Sequence, residues 1–447
     1  MSKKLWFLSE VYYPDEQGTA FYMTGLAEAM AQDFDVSVLC SYPTVTAKGA
    51  RVEKREMRNG VRIERCRGAV FNKDIFSLRI LNVLANSLSI FLKTLVRLRR
   101  GDIVFVVTSP PSLPFIGKLA CLLRGAKCVL KVDDVYPEVM IAAGMISGHG
   151  VLARFLGFLN RLLYRSIDQI VVLGRDMKAL AEKKDRPGRD RIRIINNWAD
   201  TDIVRPRPKS ENTLLRELHI QNKFVVACAG NMGRAQAIEQ MFGAVTELSS
   251  NSGIHFLFIG SGAKREWMER QVREQGLKNV SLIGQRPRED QINFLNACDV
   301  SMISLLSGMT GAGVPSRLYN LMAAGKPVIA VADADSEVAL VVKEEGIGWV
   351  APPTNGPGEI VRAILEAQSS PAQLKEMGER AYAAAKEKYA REKIITRYFG
   401  MLLEMAGMGT EGLADHDGKR RSLTPVVRSR LHSTKDCETL TAAERSK

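Results

Sequence analysis

The chain reads as an α/β protein made of two Rossmann-like, doubly wound parallel-sheet domains that face each other across a cleft. Two observations predict this. At 447 residues the chain exceeds what one hydrophobic core usually serves, so two domains are expected. A short apolar strand, a glycine-bearing loop and a helix also recur along the sequence, which calls for parallel strands whose loops line one crevice.

The first domain is read over residues 1–204. Residues 4–8 form a short buried strand, followed by a loop with Pro14 and Gly18. A helix comes next, with apolar positions at Met23, Leu26, Ala27 and Met30, and residues 36–40 give the second strand. Only Gly18 stands where a dinucleotide fingerprint needs three glycines, so NAD binding is disfavoured. Residues 75–100 are apolar almost all round, interrupted by Asn82, Asn86, Ser87, Ser89 and Lys93 and closed by Arg97, Arg99 and Arg100. This stretch has two readings. It is a buried helix with cations at its C-terminus, or a helix that sinks one face into a bilayer. On the second reading Arg79, Lys93, Arg97, Arg99 and Arg100 contact the membrane. Strands over 102–107 and 126–132 follow, the latter ending in Asp133 and Asp134, where doubly wound sheets place their ligands. Strands over 169–173 and 193–195 complete this half, and residues 205–208 read as a linker.

The second domain is read over residues 205–379. Its strands at 223–229, 255–259 and 280–283 end in Gly230, Gly260 and Gly284, each followed by a helix. Helices at about 380–405 are expected to return to the first domain. Residues 409–447 are polar and broken by proline, and are expected to be disordered.

Residues 310–330 organise the rest. A strand at 300–305 leads into a loop of Gly311, Ala312 and Gly313, then a helix with Pro315 at its first position, Gly325 as its cap and a strand at 327–331. Bare backbone N–H groups at a helix start suit a phosphate, and Arg317 can add a forked guanidinium to the same anion. An ordinary loop-to-helix joint gives the same spacing.

Net charge is +14 and unevenly placed. Residues 1–200 hold 31 Lys+Arg against 20 Asp+Glu, and residues 51–100 alone hold 13 against 4. That half is expected to meet an anionic surface. The basic region is interleaved with aliphatic residues and not with stacking aromatics, so nucleic acid is not the expected partner. The seven cysteines show no paired CxxC spacing and read as buried thiols of a reducing compartment. With five histidines, two of them in the tail (His416, His432), a histidine metal site is not expected. The chain enters a strand at once, and no secretory signal or spanning segment is expected.

Four stretches taken together carry a resemblance: Tyr13 and Pro14 with Gly18 to Ala20; Asp134 to Glu138; Gly230 to Gln236; and Val314 to Pro327. The chain resembles the retaining glycosyltransferases of the GT-B fold, family 4, above all the bacterial transferases of O-antigen, capsule and exopolysaccharide assembly. The resemblance implies a nucleotide-diphosphate sugar as co-substrate, with uridine the commonest base, and neither a metal nor another cofactor. The acceptor would be a lipid-linked, polyprenyl-diphosphate saccharide at the inner face of the cytoplasmic membrane. It implies that Arg317 and Arg234 hold the diphosphate and that Asp134 orients hydroxyls. Donor contacts would come from Gly18, Asn231, Gly233 and Gln236, from Gly284, Gln285 and Arg286 near the base, and from Gly313, Val314, Pro315, Ser316 and Leu318. The family's two spaced glutamates fall on Ala312 and Asn320, leaving Asn320 or Glu337 to bond a ribose hydroxyl. The lost glutamates also suit a non-catalytic membrane-bound binding subunit, and the fold suits a sugar-nucleotide epimerase.

Overall fold

The computed structural model describes residues 4–43, 47, 49–68, 76–184 and 189–408. The first sheet holds β1 (Lys4–Leu8), β2 (Asp35–Ser41), β3 (Arg55–Arg58), β4 (Val61–Cys66), β5 (Ile103–Val107), β6 (Lys127–Val132), β7 (Gln169–Val172) and β8 (Ile192–Ile194). Their order is β3-β4-β2-β1-β5-β6-β7-β8, with every pairing parallel except β3 against β4. Every residue of β5 is buried, which is why this strand reads as an unbroken apolar run: both of its faces are covered. The connecting helices are α1 (Gly18–Met30), α2 (Phe76–Arg97), α3 (Leu113–Arg124), α4 (Glu138–Ala142), α5 (Val151–Ser166) and α6 (Arg175–Lys184). Helices α2, α3, α5 and α6 share one core with the sheet, in which Ile90, Leu113, Tyr164 and Met177 meet Trp6, Val104 and Leu130.

A short helix, α7 (Thr213–Glu217), leads into the second sheet of β9 (Phe224–Ala229), β10 (Ile254–Ile259), β11 (Val280–Ile283), β12 (Val300–Ser304), β13 (Val328–Val331) and β14 (Gly348–Val350). The order is β11-β10-β9-β12-β13-β14, parallel throughout. Between these strands run α8 (Ile238–Glu247), α9 (Arg265–Glu274), α10 (Gln291–Leu295), α11 (Arg317–Ala323) and α12 (Glu337–Glu344). Helices α13 (Gly358–Ser369), α14 (Pro371–Glu387) and α15 (Arg391–Ala406) close the described chain. The expected pair of doubly wound parallel sheets is therefore present. Chain order reverses between β1 and β5 in one sheet and between β9 and β12 in the other, and ligands of such sheets bind at those reversals.

The hairpin β3–β4 was not among the expected strands. Its turn is Asn59 and Gly60, both at positive φ, the kind of Asn-Gly pair that two-residue hairpin turns favour. The C-terminal segment from residue 409, expected to be disordered, lies outside the described residues. The chain divides into two units at Arg397, and the second begins with the end of α15. Within the first unit the segment before α15 returns to the first domain's exit: Ala199 N–H donates to the Tyr389 carbonyl at 2.7 Å. Arg391 reaches the Gly25 carbonyl at 3.4 Å.

The two sheets' domains are joined by a charged clasp. One Asp176 carboxylate oxygen accepts the Gly311 N–H at 3.0 Å and the Glu337 N–H at 2.9 Å. In return, Glu337 Oε2 accepts the Arg175 backbone N–H at 2.8 Å and its Nε at 2.9 Å, and Arg175 also pairs with Glu344 at 2.6 Å. Burial raises the Asp176 carboxyl above its ordinary value, and the backbone donors oppose that rise. Asp176→Ala would leave the Gly311, Glu337 and Met177 N–H groups without their acceptor. It should cost about 1–3 kcal/mol of stability, read as a lower urea midpoint.

Candidate functional site

The site starts from two loops that meet at the reversal of the second sheet. Beyond β9 the chain turns through Gly230 at φ +130°, and beyond β12 it passes Gly311 and Gly313 into α11. Arg317, the first residue of α11, lays its guanidinium over Gly230 and donates from Nη1 to the Ala229 carbonyl at 2.8 Å. A Cβ on Gly230 would stand 2.8 Å from the Arg317 Cζ, so glycine is needed there for space as well as for conformation. The following loop is packed as closely: a Cβ on Gly260 would stand 2.1 Å from the Gly230 carbonyl oxygen. The structure therefore places Arg317 on the Gly230 loop, with exposed Asn231 and Arg234 and half-buried Gly233 in the same turn.

Three details depart from expectation. Pro315 does not open the helix: the Leu318 N–H bonds back to the Pro315 carbonyl at 3.2 Å, and this tight turn makes Ser316 the cap and Arg317 the first helical residue. The loop's N–H groups are not all bare, since Gly311 donates to Asp176 and Ala312 to the Met309 carbonyl at 2.9 Å. Gly325 ends the helix as expected, at φ +62°.

Across the cleft, β6 ends in the two carboxylates. The Asp133 and Asp134 N–H groups both donate to the Thr108 hydroxyl, at 3.0 and 3.2 Å, which fixes the turn. Asp133 is held by Lys131 on one oxygen and by the Thr19 hydroxyl, 3.2 Å away, on the other. Asp134 forms a bridge with Gly313, and the Val135 N–H donates to the Ala312 carbonyl at 2.8 Å. A Cβ on Gly313 would stand 3.0 Å from Asp134 Oδ1. Burial, reinforced by the neighbouring Asp133 charge, pushes the Asp134 carboxyl up to about 6, with Lys131 pulling the other way. Gly18 completes the contact, since a Cβ there would stand 3.6 Å from the Ser316 hydroxyl oxygen. Gly18, Asp134, Gly313, Ser316 and Arg317 thus meet where the two domains touch.

Other expected residues are placed elsewhere or already bonded. Leu318 is fully buried in the second domain's core, so its side chain presents no face to a ligand, while Val314 is buried among first-domain residues. Asn320 is buried, and its Oδ1 accepts the Asp200 N–H at 2.9 Å. Glu337 is the buried half of the Arg175 pair. Gln236 accepts from the Ser304 hydroxyl at 3.4 Å. Gly284 and Gln285 are exposed at the end of β11, and Arg286 pairs with Glu217 at 3.0 Å and Asp290 at 3.3 Å. Of the membrane-contact set, Lys93 donates to the Arg65 carbonyl at 2.9 Å and Arg97 pairs with Glu64 at 3.2 Å. Both are turned to the protein, whereas Arg99 and Arg100 are exposed and the Arg79 side chain lies outside the described set.

Two cations were missed. Lys264, after the Gly260 loop, donates to the Gln236 carbonyl at 3.0 Å, beside the turn that carries Arg234. Arg288 stacks 3.2 Å over the Phe21 ring and stands 3.8 Å from Asp200. Its Nε and Nη2 are buried without a hydrogen-bond partner. A lysine four residues beyond Gly260 was legible as part of a strand-end loop. Arg288 carried no signal, because its ring partner is 267 residues away in sequence. Among the described residues no group of three His, Cys, Asp or Glu side chains could hold a metal ion.

Comparison with known proteins follows the two domains. Residues 17–198 match the glycosyl transferase 4-like domain and residues 211–384 the glycosyl transferases group 1 family. A Pseudomonas aeruginosa protein named as a glycosyltransferase, WbjE, is 37% identical over 270 residues, covering 60% of this chain and 67% of the relative. An Escherichia coli K12 protein named as a colanic acid biosynthesis glycosyl transferase, WcaI, is 24% identical over 225 residues, covering 49% of this chain and 55% of its own. Among solved structures, Anabaena HepE crystallised with UDP and glucose superposes with a TM-score of 0.68 at 15% identity, over 90% of this chain and all (100%) of HepE. At that identity the likeness is one of fold. The chain therefore belongs to the group 1 glycosyl transferases, a glycosyltransferase of GT-B architecture with a glycosyl transferase 4-like first domain.

Proposed function

We propose that the chain moves a sugar from a nucleotide-diphosphate donor, a UDP-sugar, with retention onto a polyprenyl-diphosphate-linked saccharide at the inner face of the cytoplasmic membrane, in cell-surface polysaccharide synthesis. The observation that carries this reading is the meeting of Arg317 with the Gly230 loop at the sheet reversal. A cation there, with Arg234 in the same turn, suits a diphosphate whose charge grows as the sugar leaves, the work that other transferases give to a metal. HepE's complex with UDP and glucose supports the choice of donor, and WcaI's name supports a role in polysaccharide assembly. On this reading Asp134 meets the sugar or acceptor hydroxyls from the first domain, and retention follows from attack on the face the diphosphate leaves. Rate then rests on positioning and on leaving-group stabilisation.

Thermal melting with UDP, GDP and ADP tests the donor site. UDP at about a hundredfold over its dissociation constant should stabilise the protein by roughly 2.7 kcal/mol, and the other two by less. The absence of a shift with every nucleotide would favour a non-catalytic binding subunit, the reading that Ala312 and Asn320 invite in place of the family's glutamates. Arg317→Ala should raise the barrier by about 3 kcal/mol, roughly a hundredfold in kcat, and an unchanged turnover would remove Arg317 from the reaction.

The Asp134 carboxyl is neutral below about pH 6 and ionised above it. A role for the carboxylate then makes kcat/KM rise through about pH 6. Asp134→Asn should lower the rate and abolish that limb, measured as a pH–rate profile.

A further inference from the structure

Among its described side chains, helix α2 turns small polar groups together with Ile90 toward the sheet and leucines outward. Its inward face carries Asn82, Asn86, Ser87 and Thr94, all buried, while Leu84, Leu88 and Leu92 are 53, 55 and 54% exposed. The buried polar groups have partners: Ser87 shares a 2.8 Å hydrogen bond with Ser112, Thr94 donates to the Ile90 carbonyl at 2.7 Å and Asn86 donates to Glu10 at 3.4 Å. A surface helix ordinarily has the opposite pattern.

The neighbouring helices repeat it. α3 packs beside α2 and turns Gly117, Ala120 and Cys121 inward, leaving Leu122 and Leu123 63 and 61% exposed. α5 packs beside α3 with Ala153, Asn160 and Leu163 buried and Phe155 and Phe158 56 and 51% exposed. All three cover the same face of the first sheet. Between them they carry eight Lys or Arg and no Asp or Glu; Lys93 and Arg97 pair with Glu64 and Lys118 with Asp168, while Arg124, Arg154, Arg161 and Arg165 are exposed. Arg154, Arg161 and Arg165 flank the α5 phenylalanines, and Arg124 lies at the end of α3. Among the described residues no helix is long and apolar enough to cross a membrane.

We infer that α2, α3 and α5 form one docking face for the surface of an anionic lipid bilayer. Leucines and phenylalanines enter the acyl boundary and arginines meet lipid phosphates. The charge of the face selects this occupant: a purely apolar partner would leave the arginines unmatched, whereas a phosphate-bearing surface matches both. The inference deepens the membrane part of the proposed function and rests on it for its purpose. It adds a link to the reaction. Asn160, on the inner face of α5, donates to the Tyr136 carbonyl at 2.6 Å, two residues beyond Asp134. The bilayer-facing helix is thereby braced on the loop assigned to the acceptor.

The test is flotation of the full chain with vesicles of phosphatidylcholine alone or with roughly a third phosphatidylglycerol. The wild type should float with the anionic vesicles, less so at high salt. Phe155→Ser combined with Phe158→Ser should weaken that binding about tenfold or more, with an unchanged melting midpoint and an unchanged UDP-induced shift. Three results would overturn the inference: a wild type that stays with the soluble fraction, a double variant that floats as well as the wild type, or a wild-type dimer that the double substitution turns into a monomer, which would make a second copy the occupant. Flotation without any nucleotide-induced shift would uphold the docking face and remove the donor reading instead.

Discussion

The structure turns on one close approach: the Arg317 guanidinium lying across a glycine that cannot carry a side chain. This contact joins the end of β9 to the start of α11, and so holds the two loops of the sheet reversal at one point. Much else is arranged around it. Gly260 must come within touching distance of the Gly230 carbonyl for the turn to close, and Gly313 must be bare for Asp134 to reach it from the other domain. Positive charge from one sheet and a reluctant carboxylate from the other are brought together by backbone proximity, and the side chains then follow.

The fold was largely legible in the sequence because its signals are local. Short apolar strands, glycine at the ends of β9, β10 and β11, and the Gly325 cap each declare themselves within a few residues. The β3–β4 hairpin was equally local in its Asn-Gly turn. The edge strand β3 is charged at three of its four positions and β4 alternates apolar and charged residues over 61–64, and that polarity hid them beside the continuous runs of the central strands.

The site was legible in part. Arg317, Gly313 and Asp134 sit at loop positions that sheet geometry alone marks as ligand-facing. The partners of Glu337 and Arg288 could not be read, because each pairing joins residues more than a hundred and fifty positions apart across two domains. Asn320 illustrates the opposite difficulty. Its place in the pattern pointed outward to a ligand, but the fold turns it to the Asp200 backbone. Helix α2 posed a third kind of problem: its apolar residues were visible, but which of them face the sheet depends on neighbours that hydrogen-bond to its small polar groups.

The Asp176 clasp has a mechanical consequence. A single carboxylate oxygen takes N–H groups from the Gly311 loop and from the start of α12, so these two segments are tethered to α6 through one atom. Any hinge rotation that draws α6 away must break both bonds together, and the Arg175 pairs on the same helix stretch with them. In a transferase whose spent nucleotide must leave before the next donor enters, such a catch would couple any opening of the Gly311 loop to the start of α12.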